Sequence, residues 1–275
     1  MSVQQGSVLS YQSIKTRNGQ VGYCQIGNGQ PLILVVGYSG TLYHWNRDFI
    51  TELAQHYCVY MLDNRKVGLS DSHNEYSMLG MAQDVVDFIQ AKALVRPLVF
   101  GWSMGGMITQ TIMQQFPDLL GGAVLLATVP HANYTNPDFV DLVANSEHIP
   151  ANEFRTKLYG MFFSRPPREE LKELITQSAP AIHDYHYRFT FDAKELQDYA
   201  VMAWHGVDQQ ALALIKIPVL VLWARNDQVI PRSACEIFSN FIPDVKLIIY
   251  SDGGHFFLHA NPRMIARDVI NFFLG

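Results

Sequence analysis

Apolar positions fall into two rhythms along this chain. Short unbroken apolar runs alternate with longer stretches in which apolar side chains recur every three or four positions. The first kind reads as strands buried on both faces, the second as amphipathic helices. Tyr11–Thr16 and Val21–Ile26, split by the turn signal Asn18-Gly19, predict an opening β-hairpin. After Gly27-Asn28-Gly29 come a strand over Leu32–Val36 and a helix over Tyr43–Gln55, with Trp45, Phe49, Ile50 and Leu53 on one face. Tyr57–Leu62 predicts a strand, Asp63–Asp71 a polar loop and Ser77–Ala91 a helix. Leu98–Phe100 predicts a strand, Met104–Gln115 a helix and Ala123–Ala127 a strand.

This alternation implies an α/β fold with a mostly parallel central sheet and helices on both faces. From about His131 to Val207 the rhythm changes. Four or so helical patterns follow one another with no convincing strand, broken by Pro137, Pro150, Pro166-Pro167 and Pro180. Alternation then resumes with Pro218–Trp223, Arg232–Asn240, Lys246–Tyr250 and Leu258–Phe273. The expected organisation is a single domain over residues 1–275 with a helical cap inserted at 131–207.

Composition narrows the function classes. The 275 residues are 48% hydrophobic and 16% charged, with a formal net charge of −5, a profile that suits a globular protein with a large core. No Lys/Arg cluster offers a footprint for nucleic acid. The apolar runs are strand-sized, so no membrane insertion is expected. The start, MSVQQGSVLSYQ, lacks the basic and apolar regions of a secretory signal. Cys24, Cys58 and Cys235 are odd in number and widely spaced, which gives neither a zinc site nor a disulfide framework. Cytoplasmic localisation is expected; the sequence is silent on oligomeric state.

Within this pattern, Pro97–Gln110 (PLVFGWSMGGMITQ) puts one hydroxyl, fenced by glycines, at the hinge between a buried strand and a helix. A side chain on such a turn is pushed out above the carboxyl edge of the sheet, where open α/β sheets bind ligands. Gly101-Trp102-Ser103-Met104-Gly105 therefore fits the G-x-S-x-G nucleophile elbow. A serine needs a base, and the base an orienting carboxylate. Asp227 follows the strand Pro218–Trp223 and His255 follows the strand Lys246–Tyr250, so both fall on the same edge as Ser103. Each alone also reads as a plain turn or helix-entrance residue; together, in the order Ser, Asp, His, they read as a triad. The backbone amides of Tyr38, in Gly37-Tyr38-Ser39-Gly40, and of Met104 are the expected oxyanion donors. Gly37, Trp102 and Trp204 are expected to line the substrate site, with His205 beside them. His44, His131, His183 and His186 read as polar surface or interior residues. His259 follows His255 by four, but no acidic ligand is placed with them, and no metal or organic cofactor is expected.

With these residues placed, the chain resembles the α/β-hydrolase superfamily over nearly its whole length. The nearest likeness is to its cap-bearing carboxylesterases, cofactor-free haloperoxidases and carbon–carbon bond hydrolases. The stretches that carry it are LVVGYSG, YMLDNRKVGLSD, GWSMGGM, LWARNDQVIP and DGGHFFLHANP. Two positions depart from the pattern: Val36-Gly37 replaces a usual His-Gly pair, and Lys66 replaces a usual glycine after Arg65. Asp63 and Arg65 read as structural. The resemblance implies a serine hydrolase acting on a small-molecule ester or related acyl substrate through an acyl-enzyme. A small-molecule receptor on the same fold, which keeps the three residues, and a carbon–carbon bond hydrolase are the alternatives. A dinucleotide-binding reading fails, because position 39 is serine where G-x-G-x-x-G needs glycine and two hairpin strands precede the supposed first strand.

Overall fold

A computed structural model describes residues 9–163, 182–183 and 190–275. The sequence features at Pro166-Pro167, Pro180 and His186 lie outside them. β1 (Leu9–Thr16) and β2 (Gly19–Ile26) form the predicted hairpin, with Tyr11 opposite Cys24 and Thr16 opposite Gly19. Then follow β3 (Gln30–Val35), β4 (Tyr57–Leu62), the two-residue β5 (Asp71–Ser72), β6 (Leu98–Trp102) and β7 (Gly122–Leu126). β8 (Ile182–His183), β9 (Val219–Ala224) and β10 (Val245–Tyr250) complete the set among the described residues. They join in one sheet in the order β10-β9-β7-β6-β3-β4-β2-β1-β8, with β5 paired to β2 at the side. From β4 to β10 every neighbouring pair is parallel, while β2 runs antiparallel to both β1 and β4.

The unbroken apolar strands are explained by cover on both faces. Along β3, Leu32 and Leu34 point into one cluster with Trp45, Phe49, Leu258 and Val269, while Ile33 and Val35 point into another with Val86, Ile108 and Phe238. The first face carries α1 (Arg47–Leu53) and the C-terminal helix over Pro262–Leu274; the second carries α2 (Met78–Ala91), α3 (Met104–Gln115) and the helix over Arg232–Phe241. Between β7 and β9 lie α4 (Pro137–Ala144), α5 (Ala151–Phe162) and α6 (Phe191–Met202), and the two ends of this excursion meet where the Val207 amide donates to the Pro130 carbonyl at 2.8 Å. No helix among the described residues is long and apolar enough to cross a membrane.

Three sequence expectations need correction. The helix expected over Tyr43–Gln55 is a short 3-10 turn, Leu42–His44, followed by α1, because Trp45 and Asn46 are extended and Asn46 caps the second helix, accepting from the amides of Asp48 (2.9 Å) and Phe49 (3.3 Å). The helix expected over Leu258–Phe273 breaks likewise at Asn261-Pro262, where proline occupies the first helical turn. The stretch 131–207 contains a strand after all, since β8 pairs in parallel with Leu9 and Ser10 of β1. The polar loop expected over Asp63–Asp71 is found, and it is buried at Asp63, Asn64 and Arg65.

Candidate active site

Ser103 caps α3 at φ 55° and ψ −118°, left-handed backbone that costs a non-glycine residue on the order of 1–3 kcal/mol. Its neighbours hold it there. The Ser103 amide donates to the Leu126 carbonyl (2.9 Å), and the Ser103 carbonyl accepts from the Thr128 hydroxyl (2.8 Å) and the amides of Gly106 (2.8 Å) and Met107 (3.3 Å). The flanking glycines are steric requirements. A Cβ on Gly105 would lie 2.0 Å from the Val35 carbonyl oxygen, and one on Gly101 2.3 Å from the Gly105 oxygen. The strand, turn and helix can therefore meet only with hydrogen at those positions.

Two loops at the same sheet edge bring the other groups to the serine. His255 Nε2 lies 3.1 Å from Ser103 Oγ, and His255 Nδ1 lies 3.0 Å from Asp227 Oδ2. The other oxygen of Asp227 accepts from the amides of Val229 (2.8 Å) and Ile230 (2.9 Å), so the fully buried carboxylate is fixed at both ends. That arrangement fixes the imidazole with one nitrogen toward the carboxylate and the other toward the hydroxyl. It can take a proton from the serine and return it to a leaving group.

The loop after β3 passes against the serine. A Cβ on Gly37 would come within 2.9 Å of Ser103 Cβ, so only glycine permits this approach. Among the described residues no group accepts from the amides of Tyr38 or Met104, the latter at the start of α3. The loop itself is braced without the usual histidine, because Asn64 Nδ2 donates to the Val36 carbonyl at 2.9 Å and the Gly40 amide donates to the Gly37 carbonyl at 3.0 Å. The Tyr38 hydroxyl donates to Asp198 Oδ1; burial, reinforced by that carboxylate, raises its pKa well above the ordinary tyrosine value, so it stays a donor.

The expected lining residues take different places. Met104 joins the core cluster that includes Met107, Phe139 and Phe162, whereas Trp102 is buried toward the other face of the sheet. The Trp102 ring meets Phe256 at 4.8 Å, Trp45 at 5.9 Å and His259 at 6.0 Å. Trp204 is buried in the same cluster as Met104, while His205 is exposed with its ring 6.4 Å from that of His131. His259 is stacked on Phe256 and buried, and burial, helped by neighbouring His44, pushes its pKa down to about 4. His44 is depressed as well, chiefly by burial, and its Nδ1 accepts from the Thr41 amide.

Arg65 is structural, as expected. Its guanidinium meets Asp84 at 2.6 Å and donates to the carbonyls of Asn74, Glu75 and Gly80. Asp63 accepts from the Tyr11 hydroxyl (2.7 Å) and the Leu42 amide (3.2 Å).

Several supporting residues escaped the sequence reading. Thr128 and Asn64 act on backbone carbonyls, which leaves no pattern in a sequence. Phe162, at the end of α5, stacks on Phe256 at 4.5 Å, and its carbonyl accepts from the Phe256 amide at 3.0 Å. Gln197 carried a usable signal: it occupies the same helical stripe as the buried Ala193 and Ala200, and a glutamine on an apolar stripe has a partner to find. That partner is the Ser39 amide, 2.8 Å from Gln197 Oε1.

Residues 30–262 match the family described as alpha/beta hydrolase fold, and the chain belongs to that family. It is 26% identical to Lipase 1 of Psychrobacter immobilis over 265 residues, covering 90% of this chain and 79% of that protein. It is 23% identical to the pimeloyl-[acyl-carrier protein] methyl ester esterase of Klebsiella pneumoniae (strain 342) over 251 residues, covering 89% of this chain and 94% of that one. Among solved structures, an alpha/beta hydrolase fold protein from Chitinophaga pinensis superposes with a TM-score of 0.83 at 22% identity, over 97% of this chain and 98% of the other. The esterase RhEst1 from Rhodococcus sp. ECU1013 superposes with a TM-score of 0.79 at 22% identity, over 96% and 99%.

Proposed function

We propose that this protein is a serine hydrolase that cleaves a small ester or related acyl compound, with Ser103 as nucleophile, His255 as general base and acid, and Asp227 as the orienting carboxylate. The observation that carries the reading is the continuous line from Ser103 Oγ through both imidazole nitrogens to a carboxylate anchored by two amides. As Oγ attacks the acyl carbon, Nε2 takes its proton, and the carbonyl oxygen gains charge between the amides of Tyr38 and Met104. His255 then protonates the leaving alcohol. Water, deprotonated by the same nitrogen, attacks the acyl-enzyme and releases the acid and Ser103. The segment 131–207 serves as a cap over this edge, with Phe162 beside His255 (5.7 Å between rings) as part of its underside. Trp204, in the cluster that holds Met104, lines the acyl site in this reading, with Gly37 giving the carbonyl room; Trp102, expected there as well, is buried in the core on the other face of the sheet. A cytoplasmic setting fits the three free, buried thiols of Cys24, Cys58 and Cys235.

The test is covalent labelling with a fluorophosphonate, read by peptide mass spectrometry alongside p-nitrophenyl ester turnover. One adduct on Ser103, absent from S103A, is expected. The Asp227→Ala and His255→Ala variants should each lose orders of magnitude in turnover, and the double variant little more than the worse single one, because the residues act as a unit. Equal labelling of S103A, or additive losses, would overturn the assignment.

A further inference from the structure

Two contacts run from α6 to the loop that presents the Tyr38 amide. The Tyr38 hydroxyl donates to Asp198, whose other oxygen takes Lys194 Nζ at 2.8 Å, and the Ser39 amide donates to the wholly buried Gln197. Ser39 itself sits in left-handed backbone at φ 54°, one residue before Gly40 closes the turn onto Gly37. A non-glycine residue keeps such a conformation only while its surroundings over-determine it. The Tyr38–Ser39 peptide is thus gripped on both sides by one helix, far away in sequence. The Tyr38 N–H belongs to the preceding peptide, Gly37–Tyr38, which lies against Ser103 at Gly37; with Tyr38 held through its hydroxyl and Ser39 through its amide, that peptide has little freedom to turn.

We infer that Gln197 and Asp198 are positioning residues for the oxyanion hole, so that the inserted segment completes the site through the direction of one backbone amide. The inference rests on the serine-hydrolase reading above. An oxyanion donor works only when it stands about 2.7–3.1 Å from where the charged oxygen will lie, and a misplacement of about 1 Å costs on the order of 100-fold in rate. Neither side chain takes part in proton transfer. Both act on the chemical step through the loop, and their loss should appear in kcat and leave substrate binding nearly intact.

The experiment compares wild type, Q197A, Q197E, Y38F and D198A in four measurements. These are kcat and KM on a p-nitrophenyl ester, affinity for a boronic acid whose serine adduct mimics the tetrahedral intermediate, fluorophosphonate labelling of Ser103, and thermal midpoint. Q197A, Y38F and D198A should each lower kcat about 10- to 100-fold, with KM within about threefold. Boronate affinity should fall by the same factor as kcat/KM. Q197E should recover most of the loss, because a glutamate oxygen still accepts from the Ser39 amide. If Q197A proves too unstable to assay, Y38F carries the test, since it removes one hydroxyl and leaves Gln197 in place. Wild-type kcat and boronate affinity in both Q197A and Y38F, with Ser103 labelled normally, would overturn the positioning role alone. So would a loss confined to KM, or a Q197E as impaired as Q197A. Absence of any label on wild-type Ser103 would overturn the serine-hydrolase reading, and this inference with it.

Discussion

Lys66 stands in left-handed backbone at φ 64°, at the position where related chains usually carry glycine after the arginine. Its amide donates to the Ser70 carbonyl at 3.0 Å, and its ammonium meets Asp71 at 2.7 Å in a largely exposed pair. That contact holds the Asp71 carboxyl below its ordinary value, but exposed pairs contribute no more than about 1 kcal/mol to stability. The backbone strain is of the same size, about 1–2 kcal/mol for a side chain held left-handed. Lys66→Gly should therefore change unfolding stability by less than about 1 kcal/mol, and Lys66→Val, branched at Cβ, should cost more than that; urea denaturation separates them. His259 makes a pH-dependent prediction. Its pKa is about 4 when folded against 6.5 as a free side chain, so the folded state favours the neutral ring. That contribution is complete above pH 6.5 and is lost as the pH falls toward 4, by about 1.4 kcal/mol per pH unit and about 3 kcal/mol in all. His259→Leu should flatten the drop in urea stability between pH 7 and pH 4.5. An unchanged slope would mean that other groups set the acid sensitivity.

At the scale of elements, the strands and the elbow were legible because their signals are local. Tyr57–Leu62 and Met104–Gln115 fall where the apolar pattern places them, and Gly101-x-Ser103-x-Gly105 is a steric rule written in adjacent residues. The two interrupted helices were misread because apolar periodicity carries across a break, whereas the breaks are signalled by single residues: Asn46, whose side chain caps the helix at Arg47, and Pro262, which opens the last helix. Glycines on two elements give opposite predictions for one substitution. Gly105→Ala drives a methyl to 2.0 Å from the Val35 carbonyl oxygen, between α3 and β3, and should cost several kcal/mol or prevent folding. Gly160→Ala, on the exposed side of α5 with nothing within 4 Å, should raise stability by about 0.5–1 kcal/mol. Thermal unfolding of the pair checks both.

For the whole molecule, the sequence reached the α/β layering, and it placed Ser103, Asp227 and His255 at one sheet edge, because strand ends and loops follow from the alternation of elements. It did not reach the contacts between the inserted segment and the sheet. These depend on single polar atoms, such as Gln197 to Ser39, or on a two-residue pairing, β8 to β1, too short to show any period. Met161 and Phe162 pack against the cluster that holds Met104, so on the proposed cap arrangement the serine edge should favour apolar acyl groups. Each methylene buried adds about 0.8 kcal/mol, so butyrate to octanoate esters should exceed acetate in kcat/KM by roughly 10- to 100-fold. A steady fall from acetate upward across p-nitrophenyl esters would mean a small pocket. The hydrogen bond between Val207 and Pro130 has a wider consequence. The two ends of the excursion between β7 and β9 are pinned together there, so apart from the two-residue pairing of β8 with β1 its contents behave as a closed loop. Closing such a loop costs only about 0.6 kcal/mol more for each doubling of its residues. On the proposed function, the insertion would act as a cassette: selection could exchange it to admit a new substrate while the edge that holds Ser103 stays as it is, provided each replacement again supplies an acceptor for the Ser39 amide.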